Sequence, residues 1–180
     1  MTWHRAVNDF WFAETPPENW FARDTAFDEQ IRDRFGALHD ELRRNPPAAA
    51  DMDAFEHLAA VILFDQFPRN MFRGTAQAFG TDALALGYAK DAVERGLDTA
   101  LAVPHRQFLY MPFMHSENRE DQARSLALFT ALGQAEALEY ARQHADVIAR
   151  FGRFPTRNAA LGRVSTPEEQ EFMRTTTYRW

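Results

Sequence analysis

The sequence contains no cysteine, and this absence excludes several kinds of site. Disulfide bonds, thiolate zinc sites and a cysteine nucleophile all require a thiol group. A chain without thiols is compatible with a reducing compartment, so we expect a cytoplasmic location. A His-Glu-x-x-His spacing is missing as well, and we therefore expect neither a metal site nor a cofactor.

The sequence also lacks long apolar runs and clusters of basic residues. No segment approaches the roughly 20 apolar residues that a membrane-spanning helix needs, and the polar N-terminus has no signal-peptide core. The formal net charge is −6, and Lys90 is the single lysine. Because binding to a nucleic-acid backbone needs an extended basic surface, we expect a soluble protein that binds neither membranes nor nucleic acids.

Apolar and aromatic residues are abundant: 46% of the residues are hydrophobic and 16 are phenylalanine. A chain of 180 residues with this composition can bury a substantial core, and we predict one domain over residues 1–180. Apolar residues recur every three or four positions between turns marked by proline or glycine, which predicts helices and no strands. The predicted helices cover about residues 4–13, 25–45, 53–66, 82–95, 104–111, 116–132 and 134–151, with a last one from about 167.

The ends of several predicted helices depend on single residues. Asp24 and Ser116 are predicted N-caps, and a capping box begins at Thr166. Pro68 and Pro112 are predicted to end helices, because proline lacks the amide hydrogen that a helix interior needs. The short connections favour antiparallel helical hairpins, arranged as a bundle or as a solenoid-like stack.

A short motif occurs twice, each time where a predicted helix ends. The copies are Phe67-Pro68-Arg69-Asn70 and Phe154-Pro155-Thr156-Arg157-Asn158, followed by Arg73 and Arg163 respectively. Residues 66–81 and 147–167 contain six arginines and no aspartate or glutamate, although the chain as a whole is acidic. The absence of nearby acids indicates that these arginines bind either a buried carboxylate from elsewhere in the chain or an anionic ligand.

Two interpretations of these arginines stay open. In the first, the guanidinium groups converge on one concave face and bind a small anionic ligand or an acidic peptide end. The residues assigned to that face are Asp65, Gln66, Arg69, Asn70, Arg73, Arg153, Arg157, Asn158 and Arg163. In the second, the arginines satisfy carbonyl groups at helix ends, or pair with Asp65 as a clamp in which Arg153 or Arg157 is the partner.

His115 and Glu117 form a second candidate site. A histidine near carboxylates can act as a general acid or base, which makes a cofactor-independent hydrolase or transferase the alternative to a binding protein. No nucleophile with its own base accompanies these residues, and a helix N-cap with its first turn explains them equally. A protein-interaction scaffold with structural arginine turns is a third alternative. Either a monomer or a homodimer is expected.

Several longer motifs occur in order along the chain and resemble one family. They are Leu63-Phe64-Asp65-Gln66-Phe67-Pro68-Arg69-Asn70, Pro112-Phe113-Met114-His115-Ser116-Glu117 and Phe151-Gly152-Arg153-Phe154-Pro155-Thr156-Arg157-Asn158. The resemblance is to the bacterial domain-of-unknown-function family nine-two-four. It implies an all-α, tetratricopeptide-like fold of helical hairpins, and it implies no particular activity. A histidine usually precedes the second Arg-Asn pair in that family, whereas this chain has Thr156, which argues against a mechanism that needs a histidine there.

Overall fold

The computed structural model describes residues 2–176 and 178, which form helices joined by short turns. The helices are α1 (Trp3–Asn8), α2 (Thr25–Arg44), α3 (Ala54–Val61), α4 (Phe67–Met71), α5 (Asp82–Glu94), α6 (Val103–His115), α7 (Arg119–Leu132), α8 (Ala135–Phe151) and α9 (Pro167–Thr175). No β-strand occurs in this part of the chain, which confirms the all-α prediction. Within the same residues, no helix is both long and apolar enough to cross a membrane.

Two of the helices continue into π-helical turns, whose hydrogen bonds join residues five apart. The helix α1 continues over Asp9–Glu14, and α3 continues over Ile62–Gln66. Turns of this kind are frequent at functional sites. The second turn is buried throughout and carries Asp65 and Gln66, so it brings two of the predicted site residues into the interior.

The core is centred on α3 and the π-turn that follows it. Every residue from Leu58 to Phe64 is fully buried. The aromatic rings of Phe10 and Trp11, which follow α1, pack against Phe67 with centroids 5.9 and 5.7 Å away. A smaller apolar cluster joins α8 to the second arginine motif and consists of Val147, Ile148 and Phe154, all buried.

Helix packing follows chain order only in part of the molecule. The helices α6, α7 and α8 pack on one another consecutively, as hairpins would. In the N-terminal half the contacts join α1 with α3, α2 with α4 and α3 with α5. A stack of consecutive hairpins therefore describes the C-terminal helices, while a tetratricopeptide-like arrangement of the whole chain stays a prediction.

The N-caps at Asp24 and Thr166 are confirmed. The side chain of Asp24 accepts hydrogen bonds from the amides of Ala26 and Phe27 at 2.9 and 3.4 Å. Thr166 forms the expected capping box with Glu169, and α9 begins at the next residue. Both caps depend on contacts within one turn of the chain, which is why the sequence pattern is sufficient to locate them.

Pro68 does not end the helical path, contrary to the prediction. It lies in the first turn of α4, which continues to Met71. A proline at this position leaves the carbonyl group of Phe64, four residues earlier, without its helical donor. The hydroxyl group of Thr81 donates to that carbonyl at 2.7 Å, so the residue that precedes α5 compensates for the missing amide hydrogen.

The prediction that Pro112 breaks a helix is also wrong, because α6 passes through it and ends at His115. The residues from Pro112 to His115 are all buried. Burial of two large apolar side chains, Phe113 and Met114, is worth about as much as the roughly 3 kcal/mol that an interior proline costs. Packing therefore keeps this turn helical.

The N-cap of α7 is Asn118 and not Ser116. The side-chain oxygen of Asn118 accepts from the amide of Glu120 at 2.7 Å. The hydroxyl group of Ser116 instead donates to Asp121 at 2.7 Å. The helix therefore starts two residues later than the pattern predicts, and His115 belongs to the end of α6.

Candidate functional site

Asp65 lies at the centre of the site, because the π-turn after α3 carries it into the core. Its side chain is fully buried. A buried carboxylate needs partners, since removing an ion from water costs several kcal/mol. Nδ1 of His115 lies 2.8 Å from its Oδ1, the Arg69 guanidinium lies 3.2 Å from the same oxygen, and the Gln66 amide donates to Oδ2.

These partners set the charge of both Asp65 and His115. Burial alone raises the pKa of the Asp65 carboxyl group, but Arg69 and His115 outweigh it and hold that pKa well below its usual range. Burial lowers the pKa of the His115 imidazole, against the opposing effect of Asp65. At neutral pH, Asp65 is therefore an anion and His115 is neutral. Because a carboxylate only accepts, Nδ1 of His115 carries the ring proton and Nε2 is an acceptor.

The other edge of the His115 ring faces away from Asp65. About 10% of the His115 side chain is exposed, whereas Asp65 behind it is not exposed at all. Nε2 of His115 makes no hydrogen bond with any residue that the structure describes. The ring centroid of His144 lies 5.9 Å away, and burial lowers the pKa of His144 to about 3, so this second imidazole is also neutral.

Two arginines, one from each motif copy, meet at the carboxylate of Asp82. Arg69 donates to both oxygens of Asp82, at 2.9 and 3.1 Å. Arg157 donates to one of them at 3.2 Å, and its other terminal nitrogen donates to the main-chain carbonyl of His115 at 3.0 Å. Asp82 is therefore bound more firmly to Arg69 than to Arg157.

Asp82, Arg69, Arg157 and His115 form a partly exposed layer above Asp65, which we call the rim. The side chains of Arg157, Asp82 and Arg69 are 12%, 20% and 22% exposed. Burial, together with the charge of Arg69, lowers the pKa of Arg157 to about 10, which leaves it cationic at neutral pH. The carboxylates of Asp65 and Asp82 and the guanidinium groups of Arg69 and Arg157 together carry no net charge, so this network is electrically balanced.

Aromatic rings flank the Arg157 guanidinium group. Its central carbon lies 4.7 Å from the ring centroid of Phe79 and 4.6 Å from that of Phe154. Contacts of this length between a guanidinium group and an aromatic face are attractive, and they restrict the side chain to one orientation. Arg157 is therefore a positioned cation with only one hydrogen bond to a carboxylate.

Arg73 and Asn70 lie at a separate clamp. Arg73 donates to both oxygens of Asp28, at 2.8 and 2.7 Å, and Asn70 donates to the same carboxylate at 2.7 Å. Asp28 belongs to α2, so this clamp fastens the end of α4 to the long second helix. Among the described residues, the side chains of Arg73 and Asn70 form no hydrogen bond with Asp82, Arg157 or His115.

The C-terminal segment is held by two further clamps. Arg153 donates to both oxygens of Glu169, at 2.6 and 2.8 Å, and Asn158 donates to one of them at 3.3 Å. Arg163 donates to both oxygens of Glu117, at 2.8 and 3.0 Å. The expectation that five arginines converge on one face therefore differs from the structure, in which three of them clamp separate carboxylates.

Glu117 is fully engaged in its clamp. Besides the hydrogen bonds from Arg163, it accepts one from the main-chain amide of Phe154 at 2.7 Å. Burial raises its pKa, but the hydrogen bonds of Arg163 and the Phe154 amide outweigh burial and keep that pKa below its usual range. Glu117 is therefore ionised and tied to the second motif.

The expected clamp between Asp65 and Arg153 or Arg157 is also corrected by the structure. The arginine that contacts Asp65 is Arg69, which follows it by one helical turn. Arg157 belongs to the same network, but its carboxylate contact is with Asp82. Of the predicted site residues, the structure thus brings together Asp65, Gln66, Arg69, Arg157 and His115.

Four partners in these contacts are missing from the sequence-based prediction: Asp28, Asp82, His144 and Glu169. Asp28 and Asp82 have the positions of ordinary first-turn acids, and Glu169 is explained by the capping box that it also forms. The positions of these three acids at helix starts are a signal that could have identified them. From there their side chains can reach the acid-free segments 66–81 and 147–167. His144 carries no such signal.

Metal ligation has no support in the described residues. No group of three or more histidine or acidic side chains within residues 2–176 and 178 is placed to hold a metal ion. Asp65 instead pairs with Arg69, and Asp82 pairs with Arg69 and Arg157.

Comparisons with other proteins agree with the fold and the motifs. The family model "Bacterial protein of unknown function (DUF924)" matches residues 7–177. A solved structure from Agrobacterium tumefaciens, "Structure of Protein of Unknown Function ATU0120", is 40% identical, with 96% of this chain and 97% of that chain covered and a TM-score of 0.89. No functionally curated protein matches the chain. Because the family model spans nearly all of the sequence, this chain belongs to the DUF924 family of bacterial proteins.

Proposed function

We propose that this protein binds a small ligand bearing a carboxylate or phosphate group at the rim, between Arg157 and His115. One observation carries the proposal. Each of the other four arginines predicted for the site makes two hydrogen bonds to a single carboxylate, whereas Arg157 makes one. The four fully paired arginines are Arg69 (with Asp82), Arg73 (with Asp28), Arg153 (with Glu169) and Arg163 (with Glu117).

The ligand would replace Asp82 at Arg157. Asp82 retains both hydrogen bonds to Arg69 when its single contact of 3.2 Å with Arg157 is lost, so the exchange leaves no carboxylate unpaired. A guanidinium group can then offer two parallel donors to a carboxylate or phosphate, which is stronger than the contact it gives up. Phe79 and Phe154 keep Arg157 in place during the exchange.

Calorimetry and thermal unfolding with inorganic phosphate test this proposal. Phosphate should stabilise the wild-type protein by about 1.4 kcal/mol when its concentration is tenfold above the Kd. Arg157→Ala should lose the effect. Arg150→Ala is the matched control, because Arg150 lies in the same acid-free segment but pairs at the surface with Glu168 at 2.8 Å. Equal responses in all three proteins, or none in the wild type, would refute the proposal.

A second candidate function uses the same rim for proton transfer. The observation that favours it is the pairing of His115 with a buried carboxylate, which fixes the tautomer and orientation of a general base. Asp65 thereby takes the role that the sequence suggested for Glu117, which is tied to Arg163 and the Phe154 amide. Arg157 would stabilise negative charge on the substrate.

A hydrolysis screen with p-nitrophenyl phosphate and p-nitrophenyl acetate tests the second candidate. If the rim is catalytic, His115→Gln should abolish any hydrolysis found, and Glu117→Gln should retain most of it. Hydrolysis that survives His115→Gln would exclude His115 as the catalytic base.

A further inference from the structure

We infer that the ligand of the rim carries a hydroxyl group next to its acidic group, as a 2-hydroxy acid does. This inference rests on the proposed function, because it concerns the same groups. Arg157 offers only hydrogen-bond donors, whereas the reachable nitrogen of His115 offers an acceptor. The two side chains therefore recognise different parts of a ligand.

The acceptor character of His115 follows from what lies behind its ring. Nδ1 lies 2.8 and 3.0 Å from the two oxygens of Asp65, and that carboxylate is fully buried. Arg69 and Gln66 satisfy further lone pairs of Asp65, so the carboxylate stays ionised and keeps the ring proton on Nδ1. Nε2 is then left with a lone pair on the less buried side of the ring.

A bare carboxylate does not fit both groups. Its oxygens only accept hydrogen bonds, so an oxygen placed at Nε2 would set two acceptors against each other. A hydroxyl group resolves the conflict, because it donates to Nε2 while the neighbouring carboxylate binds Arg157. In a 2-hydroxy acid these groups stand on adjacent carbons, so one small molecule supplies both.

The charges around the rim distinguish the two groups of such a ligand, because its acidic group adds charge there and its hydroxyl group does not. The network of Asp65, Asp82, Arg69 and Arg157 is balanced, and His144 beside it is neutral. A single carboxylate that displaces Asp82 from Arg157 adds one negative charge, which both guanidinium groups share. A neutral hydroxyl group adds none. A site that hydrogen-bonds a ligand hydroxyl group discriminates strongly against the analogue without it.

Lactate and propionate form the matched pair of probes, since they differ only in the hydroxyl group. Calorimetric titrations at pH 7.5 should give a Kd for lactate at least about tenfold lower than that for propionate. The variant His115→Phe should lose this difference and bind the two acids alike. The control His105→Phe removes another histidine of α6, far from the rim, and should retain the difference.

A spectroscopic measurement on the wild-type protein avoids any dependence on the folding of a variant. The ¹⁵N signal of Nε2 in His115 should shift when lactate is added and stay unchanged with propionate. Equal affinities for the two acids, or a preference that survives His115→Phe, would overturn the hydroxy-acid inference and leave anion binding at Arg157 intact. Failure of phosphate, lactate and propionate alike to bind would overturn both.

Discussion

Nδ1 of His115 lies 2.8 Å from the carboxylate of Asp65, although the two residues are 50 positions apart in the chain. The contact joins the end of α6 to the π-turn after α3, all of whose residues are buried. It holds a buried charge and also fixes the orientation of a partly exposed imidazole. We therefore expect the same contact to affect both stability and the proposed binding.

The variant Asp65→Ala should be strongly destabilised. It leaves Arg69 and His115 without their buried partner, and breaking a buried ion pair on one side costs about 3–5 kcal/mol. Urea unfolding measures the difference. Asp33→Ala, which removes an exposed acid of α2, is the control and should change stability by less than about 0.5 kcal/mol. A loss below about 1 kcal/mol for Asp65→Ala would show that the network does not hold the core together.

The variant Asp82→Asn should bind phosphate more tightly, although it is less stable. The ligand competes with Asp82 for Arg157, so removing the charge of Asp82 should lower the phosphate Kd by roughly three- to tenfold. Glu168→Gln removes an exposed carboxylate from another arginine, Arg150, and should leave the Kd unchanged. Weaker binding by Asp82→Asn would mean that Asp82 assists the ligand and does not compete with it.

The variant Arg163→Ala should lower the stability of the protein and leave phosphate binding at the rim unchanged. Arg163 holds Glu117 with two hydrogen bonds and also donates to the Phe154 carbonyl at 3.1 Å. Its loss should lower the free energy of unfolding by about 1–3 kcal/mol. The phosphate Kd should stay within about twofold, because Arg163 does not contact the rim. A loss of binding at temperatures where the variant is folded would place Arg163 in the site.

Stability should fall between pH 6.5 and pH 5 because of buried histidines. Burial lowers the pKa of His144 from 6.5 to about 3, with smaller contributions from the neighbouring side chains of His115, Arg157 and Arg69. The unfolded chain takes up a proton near pH 6.5 and the folded chain does not, so acidification favours unfolding. Each such histidine contributes at most about 1.4 kcal/mol per pH unit.

Urea unfolding at pH 7.5, 6.0 and 5.0 measures this dependence. The variant His144→Phe should show a shallower loss than the wild type. The carboxyl groups do not interfere in this range, because the lowered pKa of Glu169, about 2 against 4.5, moves its contribution below about pH 4.5. An unchanged slope in His144→Phe would show that this histidine is protonated in the folded protein.

Local sequence signals were sufficient for much of the fold. The caps at Asp24 and Thr166 involve neighbours within three residues, and apolar periodicity places most helices. The sequence wrongly predicts helix ends at Pro68 and Pro112, because proline rules describe an isolated helix. The hydroxyl group of Thr81, which directly precedes α5, decides the outcome at Pro68, and burial of the following residues decides it at Pro112.

Of the candidate site, the sequence alone indicates only the arginines. The absence of acids near them in the sequence indicates that their partners lie elsewhere, and the carboxylates that they contact come from distant segments. Arg73 pairs with Asp28 across 45 residues, and Arg157 reaches Asp82 across 75. No spacing rule relates such positions, because the packing of elements that are distant in the chain brings them together. The contact between His115 and Asp65 likewise joins residues 50 positions apart.

A crystal structure of the protein with bound phosphate would be the most decisive single measurement. We expect a phosphate oxygen within about 3 Å of the Arg157 guanidinium group, with Asp82 bound only to Arg69 and His115 still paired with Asp65. Phosphate bound elsewhere, with the contact between Arg157 and Asp82 intact, would contradict binding at the rim.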